Sequence, residues 1–371
     1  LAVDTMAGTG KTGLQLVPVQ EIRLDNQAEY RKSAEYIHRY EEGTAAPAAA
    51  APAAAAPAAT DVKGKVLAVF MPSADHGFTA ESIAQAKSEL ETLSKEKGFE
   101  FKQVTSAEAS DQANQVATVL EGKVDTVLLW PIDGAPLRSA AQSIMDKKIP
   151  LVVYDRLIPD FTPNAQMTGD QITIGTQAAK YFNTYFADQL KKDKVYILEF
   201  QGDNSSAAQE RSSSFVKNKD PNIVIAQSFT TNWQRDVGRQ QMETFLSSSK
   251  KEDIEKIQAI YTHDDEPMLG ILDAIRAYKG EAKLNIKVLT GVGAQKATLD
   301  EMQTAKDKDG IDILSYTYAP GMIRLAVDLA VDTMAGTGKT GLQLVPVQEI
   351  RLDNQAEYRK SAEYIHRYEE K

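Results

Sequence analysis

The sequence predicts an α/β protein built as two doubly wound, parallel-sheet lobes. From Lys65 onward, short apolar β-branched runs alternate with longer amphipathic stretches, the pattern of strand–helix–strand units with right-handed crossovers. The runs are apolar at consecutive positions, as strands buried on both faces require, and LVVY at 151–154 is the clearest case. The residues just past each run are charged, aromatic or amide, where open α/β sheets receive their ligands.

The chain has 371 residues, enough for two domains of ordinary size. Its 42% hydrophobic and 25% charged residues form a globular composition, and a net charge of −10 argues against nucleic acid as a partner. The absence of cysteine excludes disulfides and thiolate zinc sites. No apolar run approaches the roughly 20 residues of a membrane-spanning helix. No signal peptide opens the chain, so an exported protein would stand here in mature or recombinant form. His38, His76, His263 and His366 lack metal-ligand spacing, so no metal or other cofactor is expected. There is no Gly-x-Ser-x-Gly elbow, Cys/His pair or His-Glu-x-x-His motif, so no catalytic residue is nominated and an enzyme is not expected.

Taken in order, the chain begins with a repeat. Leu1–Glu42 recurs without a change as Leu329–Glu370. An old duplication would have drifted, so this one is recent or engineered. The first copy opens at LAVDTMAG with no capping residue, whereas in the second the same residues continue a helical run, GMIRLAVDLAVDTMAG. Each copy reads as a helix end, the loop GTGKTG, a strand (near Leu342–Leu352 in the second) and a helix (about Asn354 to Glu369). One folded body has one slot for this piece. The copies should therefore compete for it in a monomer, or exchange between molecules in a domain-swapped dimer. Gly43–Thr60 is a semi-rigid Ala/Pro spacer, suited to joining old termini in a circular permutant or to tethering a lipid-anchored protein. The GTGKT within the repeat is not a phosphate loop. The motif needs glycine where Thr333 stands and follows a strand, so a helix C-cap and turn is the better account.

KVLAVFMP from Lys65 is the first strand, followed by a polar loop, Ser73–Thr79, and a helix from about Glu81 to Lys97. FEFKQVTS, DTVLLWPID and IPLVVYDR follow as strands, separated by helices over Asp111–Glu121 and Pro136–Lys147. Four to five strands thus precede Asp160. A long helix, about Ile174–Lys191, leads into KVYILEFQG. The strands NIVIAQSF, IQAIYTHDD and IKVLTGVG then alternate with helices around Gln209–Lys217, Asp236–Ser247 and Pro267–Tyr278, forming the second lobe.

The strand ends collect Asp75, His76 and Phe78; Trp130 and Asp133; Asp155 and Arg156; Asp203, Asn204 and Arg211; Trp233; His263, Asp264 and Asp265; and Gln295 with Lys296. Aromatic faces beside planar groups with paired hydrogen-bonding atoms suit a sugar. Taken singly, each residue has a plainer role, since a tryptophan is more often core than a stacking platform and a lone helical arginine is usually solvated.

PLVVYDRLI, THDDEPMLGILDAI, LTGVGAQ and the helix APGMIRLAVDLAVDTMAG together resemble the type I periplasmic sugar-binding proteins of ABC transporters. The similarity is strongest to glucose/galactose- and xylose-binding members and runs from Lys65 to about Leu352. The resemblance implies two lobes joined by a three-strand hinge and closing on one monosaccharide, D-glucose or a related hexose. Lobe 1 would comprise 65–158 plus about 317–344, and lobe 2 would comprise 159–316 plus about 345–370. The implied ligand residues are Asp75, His76 and Phe78, Asp155 and Arg156, Arg211, Trp233 and Asp264, with Trp130 and Asn204 added from their strand-end positions. The implied partner is an ABC permease, and the implied location is periplasmic or extracytoplasmic, with a lipid anchor in the native form as a variant. Trp130 departs from a common Asn, Gly293 from a ligand-binding Asp, and Ser205 and Ala207 stand near where glucose/galactose binders carry His and Asp. The family's calcium loop is not visible, so no structural calcium is expected. Two alternatives are the effector core of a sugar-responsive transcriptional regulator and an engineered switch between permuted and unpermuted frames.

Overall fold

The computed structural model describes residues 60–364. The first copy of the repeat, most of the spacer and the last seven residues lie outside them, and with them the expectations of slot competition, domain swapping and tethering.

Two six-stranded sheets organise the described chain. The first contains β1 (Val66–Pro72), β2 (Glu100–Ser106), β3 (Thr126–Leu129), β4 (Leu151–Tyr154), β5 (Ala165–Gly169) and β11 (Gly341–Val345), in the order β11-β5-β4-β3-β1-β2 and parallel throughout. The second contains β6 (Val195–Gln201), β7 (Ile223–Thr230), β8 (Ile257–Thr262), β9 (Val288–Val292), β10 (Asp312–Tyr316) and β12 (Glu349–Arg351), in the order β12-β10-β9-β8-β6-β7. Only β12 runs antiparallel, against β10.

Consecutive apolar residues in a strand serve opposite faces. In β1, Leu67, Val69 and Met71 join one core with Leu90 of α1 (Gly77–Lys97) and Val327 and Ala330 of α11 (Met322–Ala335). Ala68 and Phe70 join another core with Val116 of α2 (Ala109–Val119) and Ala141 and Ile144 of α3 (Gly134–Asp146). The second sheet is covered by α4 (Gln171–Tyr185), α5 (Ala187–Leu190) and α6 (Ser206–Asn218). It is also covered by α7 (Arg235–Ser248), α8 (Lys251–Glu255), α9 (Asp265–Ala277), α10 (Lys296–Thr304) and α12 (Gln355–Tyr358).

Three segments pass between the sheets: at residue 170, at 317–321 and at 346–348. The boundary expected at 158/159 therefore moves past β5, which hydrogen-bonds β4 and β11 in the first sheet. The single strand expected over 342–352 is two strands in different sheets. Pro346 interrupts it by removing a backbone donor. Of the helix expected from about 354 to 369, the described residues hold the short α12 and helical turns at 362–364, and the remainder lies outside them. The GTGKT turn reads as expected, because Gly336 caps α11 at φ 81°, a left-handed conformation that glycine adopts at little cost. No helix of the described residues is long and apolar enough to cross a membrane.

Candidate functional site

Each sheet delivers its loops at strand carboxyl ends. From the first sheet, His76 caps α1, with its backbone N–H donating to Thr79 Oγ1 at 3.2 Å. Two residues after this cap, Phe78 stacks on Tyr318 at 5.6 Å and meets Trp130 edge-on at 5.9 Å. Trp130 follows β3 and is 1% exposed, and its indole N–H donates to Asp155 Oδ2 at 3.0 Å. The Tyr318 hydroxyl donates to the other carboxylate oxygen of Asp155. Asp155 turns at φ 65° directly after β4, a left-handed conformation that costs a non-glycine residue about 1–3 kcal/mol and that the two hydrogen bonds hold in place. Arg156 donates to the carbonyl of Ile132 and to Asp203 Oδ2, the latter at 2.9 Å.

From the second sheet, Arg211 of α6 is 2% exposed. Its Nε donates to Gln171 Oε1 at 2.7 Å, and Nη1 donates to the carbonyl of His263. Its guanidinium lies 4.8 Å from the Tyr318 ring centre and 5.4 Å from that of Trp233, within cation–π range of both. Trp233, in the turn between β7 and α7, has φ 63°, and the adjacent Asn232 has φ 51°, so this ring too is presented by strained backbone. Asp264 caps α9 by accepting from the Glu266 N–H at 2.9 Å. Burial, reinforced by the neighbouring Asp265, pushes its carboxyl well above the usual carboxylate range.

These groups converge. His76, Phe78, Trp130, Asp155, Arg156, Arg211, Trp233 and Asp264 line one cavity with about 380 Å³ of non-atom space, including its open mouth. Arg156 and Trp233, from opposite sheets, share it. Asp203–Arg156 and the Leu157 N–H donating to Ser206 Oγ at 2.9 Å join the two lobes across it, so the arrangement is a closed one. Burial alone would raise the Asp203 pKa, but Arg156 and contacts from Ser205 more than offset this and hold the carboxyl below its ordinary value. The His76 imidazole is pushed down by burial, against the pull of Asp75.

Two expected residues stand apart. Asp75 is exposed at the outer mouth, accepting from Thr79 Oγ1 at 2.8 Å. Asn204 is exposed and turned outward, with only its carbonyl engaged, by Gln209. Conversely, Tyr318 and Ala207 line the cavity although neither was nominated. Tyr318 stands two residues past β10, so the rule of reading strand ends reaches it. Ala207 carries no chemical signal in a sequence. Among the described residues, no group of three or more His, Cys, Asp or Glu is placed to hold a metal ion.

Residues 67–339 match the family model described as a periplasmic binding protein domain. The ribose import binding protein of Bacillus subtilis is 28% identical over 233 residues, covering 62% of this chain and 69% of that protein. A xylitol-binding protein of Mycolicibacterium smegmatis is 24% identical over 254 residues, covering 67% of each. Among solved structures, a Mycobacterium smegmatis protein in complex with β-D-fucofuranose superposes with a TM-score of 0.70 at 20% identity, covering 82% of this chain and 96% of that one. At that identity the likeness speaks for the fold alone.

Proposed function

The chain belongs to the periplasmic binding protein domain family, and from that premise we propose that it captures one monosaccharide, D-glucose or a related hexose, between its lobes. The observation that carries this reading is the cavity itself. Phe78, Trp130 and Trp233 offer apolar faces, while Asp155, Asp264, Arg156 and Arg211 offer acceptors and donors, with both lobes contributing each kind. Sugar would shift an open ensemble toward the closed one, and an ABC permease in the membrane would read the closed form outside the cytoplasm. The protein binds its solute without turning it over.

A thermal-shift series with D-glucose, D-galactose, D-xylose, D-ribose, xylitol and myo-inositol tests the proposal. A specific sugar at 100 times its dissociation constant should stabilise the protein by about 2.7 kcal/mol. A melting temperature that none of the six raises would end the reading.

A second reading concerns the repeat. The described part of the second copy fills a single place in the fold. Leu329, Ala330, Val331 and Met334 are buried in the first core, and Tyr358 and Tyr364 in the second. The end of the spacer rests on this piece, with the Thr60 N–H and hydroxyl both donating to the Ala335 carbonyl at 2.9 Å. We infer that the identical residues 1–42 compete for the same place, giving a permuted and an unpermuted frame in one chain. Limited proteolysis read by mass spectrometry should find both copies cleaved in part, in proportions that sugar changes. Cleavage confined to the first copy under every condition would refute competition.

A further inference from the structure

Behind the cavity lies an ionisable pair that the capture of a sugar does not itself use. His263 follows β8 and is fully buried, and Glu199 of β6 is 2% exposed. His263 Nε2 stands 3.3 Å from Glu199 Oε1. The other carboxylate oxygen of Glu199 accepts from Gln201 Nε2 at 3.0 Å and from Ser228 Oγ at 2.9 Å. On the opposite side of the ring, the backbone N–H of Gly202 points at His263 Nδ1 at 3.4 Å.

The Gly202 contact fixes the ring's proton, and Glu199 stands at ion-pair distance on the other side without completing a hydrogen bond to Nε2. Nδ1 faces a donor and must be bare, so a neutral imidazole carries its hydrogen on Nε2, toward the carboxylate. Gly202 is where the ring meets the cavity wall. A Cβ built on it would stand 2.1 Å from the Trp233 indole, so backbone and ring are in direct contact, and the Gly202 carbonyl accepts the Asn232 N–H at 2.9 Å. The residue that holds Gly202 therefore holds the strained turn presenting Trp233. The His263 carbonyl also receives Arg211, and its backbone leads directly into Asp264.

We propose that His263, as the neutral Nε2–H tautomer, is a positioning residue that sets the Trp233 platform through Gly202, and that protonating it releases that platform. A proton on Nδ1 would oppose the Gly202 N–H, donor against donor, and push the Gly202–Trp233 wall outward. The charged groups acting on the ring are Glu199 from β6, Arg211 from α6 and Asp203 from the loop after β6; Tyr261 of β8 packs 5.1 Å away. Burial lowers the imidazole pKa more than Glu199 raises it. Glu199 itself is held in its charged form by His263 and hydroxyl contacts that overcome burial. The lowered imidazole pKa agrees with a neutral ring beside a carboxylate.

The proposal rests on the sugar-site reading for its purpose, but its test needs no sugar. Nitrogen-15 NMR of the free, full-length protein between pH 8 and pH 4.5 reports the ring tautomers and the indole N–H signals. Only Trp130 and Trp233 supply indoles, so assignment is tractable. At neutral pH His263 should be the Nε2–H tautomer. Trp233's indole should move with His263's own midpoint, distinct from that of His76, while Trp130's does not follow it. His263→Gln, whose amide can accept from Gly202 and donate to Glu199, should keep the Trp233 signal in its neutral-pH position and abolish the titration; His263→Leu should displace it at every pH. A protonated Nδ1 at neutral pH, or a Trp233 signal indifferent to His263, would overturn the proposal whether or not any sugar binds. The wild-type titration alone decides if a variant fails to fold.

Discussion

Arg211→Ala is expected to weaken sugar binding at least about 30-fold, the low end of the range seen when one partner of a buried, hydrogen-bonded charge pair is removed. The guanidinium does three things from a position almost closed to solvent. It donates to Gln171, it donates to the backbone of His263, and it lies over the rings of Tyr318 and Trp233. Truncation would leave buried acceptors without donors and remove the flat cation between two aromatic walls. Arg211→Lys should recover little, since a lysine ammonium cannot reproduce the planar fork. Calorimetry with the sugar identified by thermal shift would measure the loss. An affinity within threefold of the parent would place Arg211 outside the site.

The second large effect is on stability and has an unusual sign. Replacing glycine by alanine inside a helix ordinarily gains about 0.5–1 kcal/mol. At Gly175 of α4 the new methyl would stand 2.2 Å from the Arg211 carbonyl and 2.1 Å from Ser214 Oγ, both on α6. The carbonyl is backbone and cannot step aside, so the helices must separate. Overpacking of this kind costs roughly 1–3 kcal/mol or more, which outweighs the propensity gain. Gly175→Ala should therefore lower the melting temperature by several degrees and weaken sugar binding, because α6 carries Arg211. Thermal unfolding checks the first effect and calorimetry the second. An unchanged or raised melting temperature would mean that the helices accommodate the methyl.

Much of the fold was legible because its strands are buried on both faces. Val66–Pro72 and Leu151–Tyr154 need apolar residues at consecutive positions, and no helix explains such short runs. β5 escaped for the opposite reason. AQMTG carries buried Gln166 and Thr168 and looks like a loop, so the lobe boundary was drawn before it. The start of α1 was placed too late because His76 is an uncommon cap, and Thr79 completes its capping box in place of the usual Glu or Gln. Within the candidate site, strand ends led to Trp130, Asp155, Arg156, Trp233 and Asp264. They could not tell which of two neighbours faces inward. Asp203 turns toward Arg156 while Asn204 turns to solvent, a choice made by the Ser205 N–H bonding the Asp203 carboxylate. Tyr318 depends on the passage from β10 to α11, which brings it beside Asp155, 163 positions earlier in the chain.

β11 lies at the margin of its sheet, with Leu342 57% and Leu344 50% exposed along it. A strand edge offers unused backbone donors and acceptors, and two bare leucines make it adhesive as well. The pentapeptide GLQLV occurs twice in the sequence, at 13–17 and at 341–345, so the hazard is written into the chain two times over. Aggregation in concentrated stocks should begin at this margin, and a lysine in place of Leu342 would act as a gatekeeper against it.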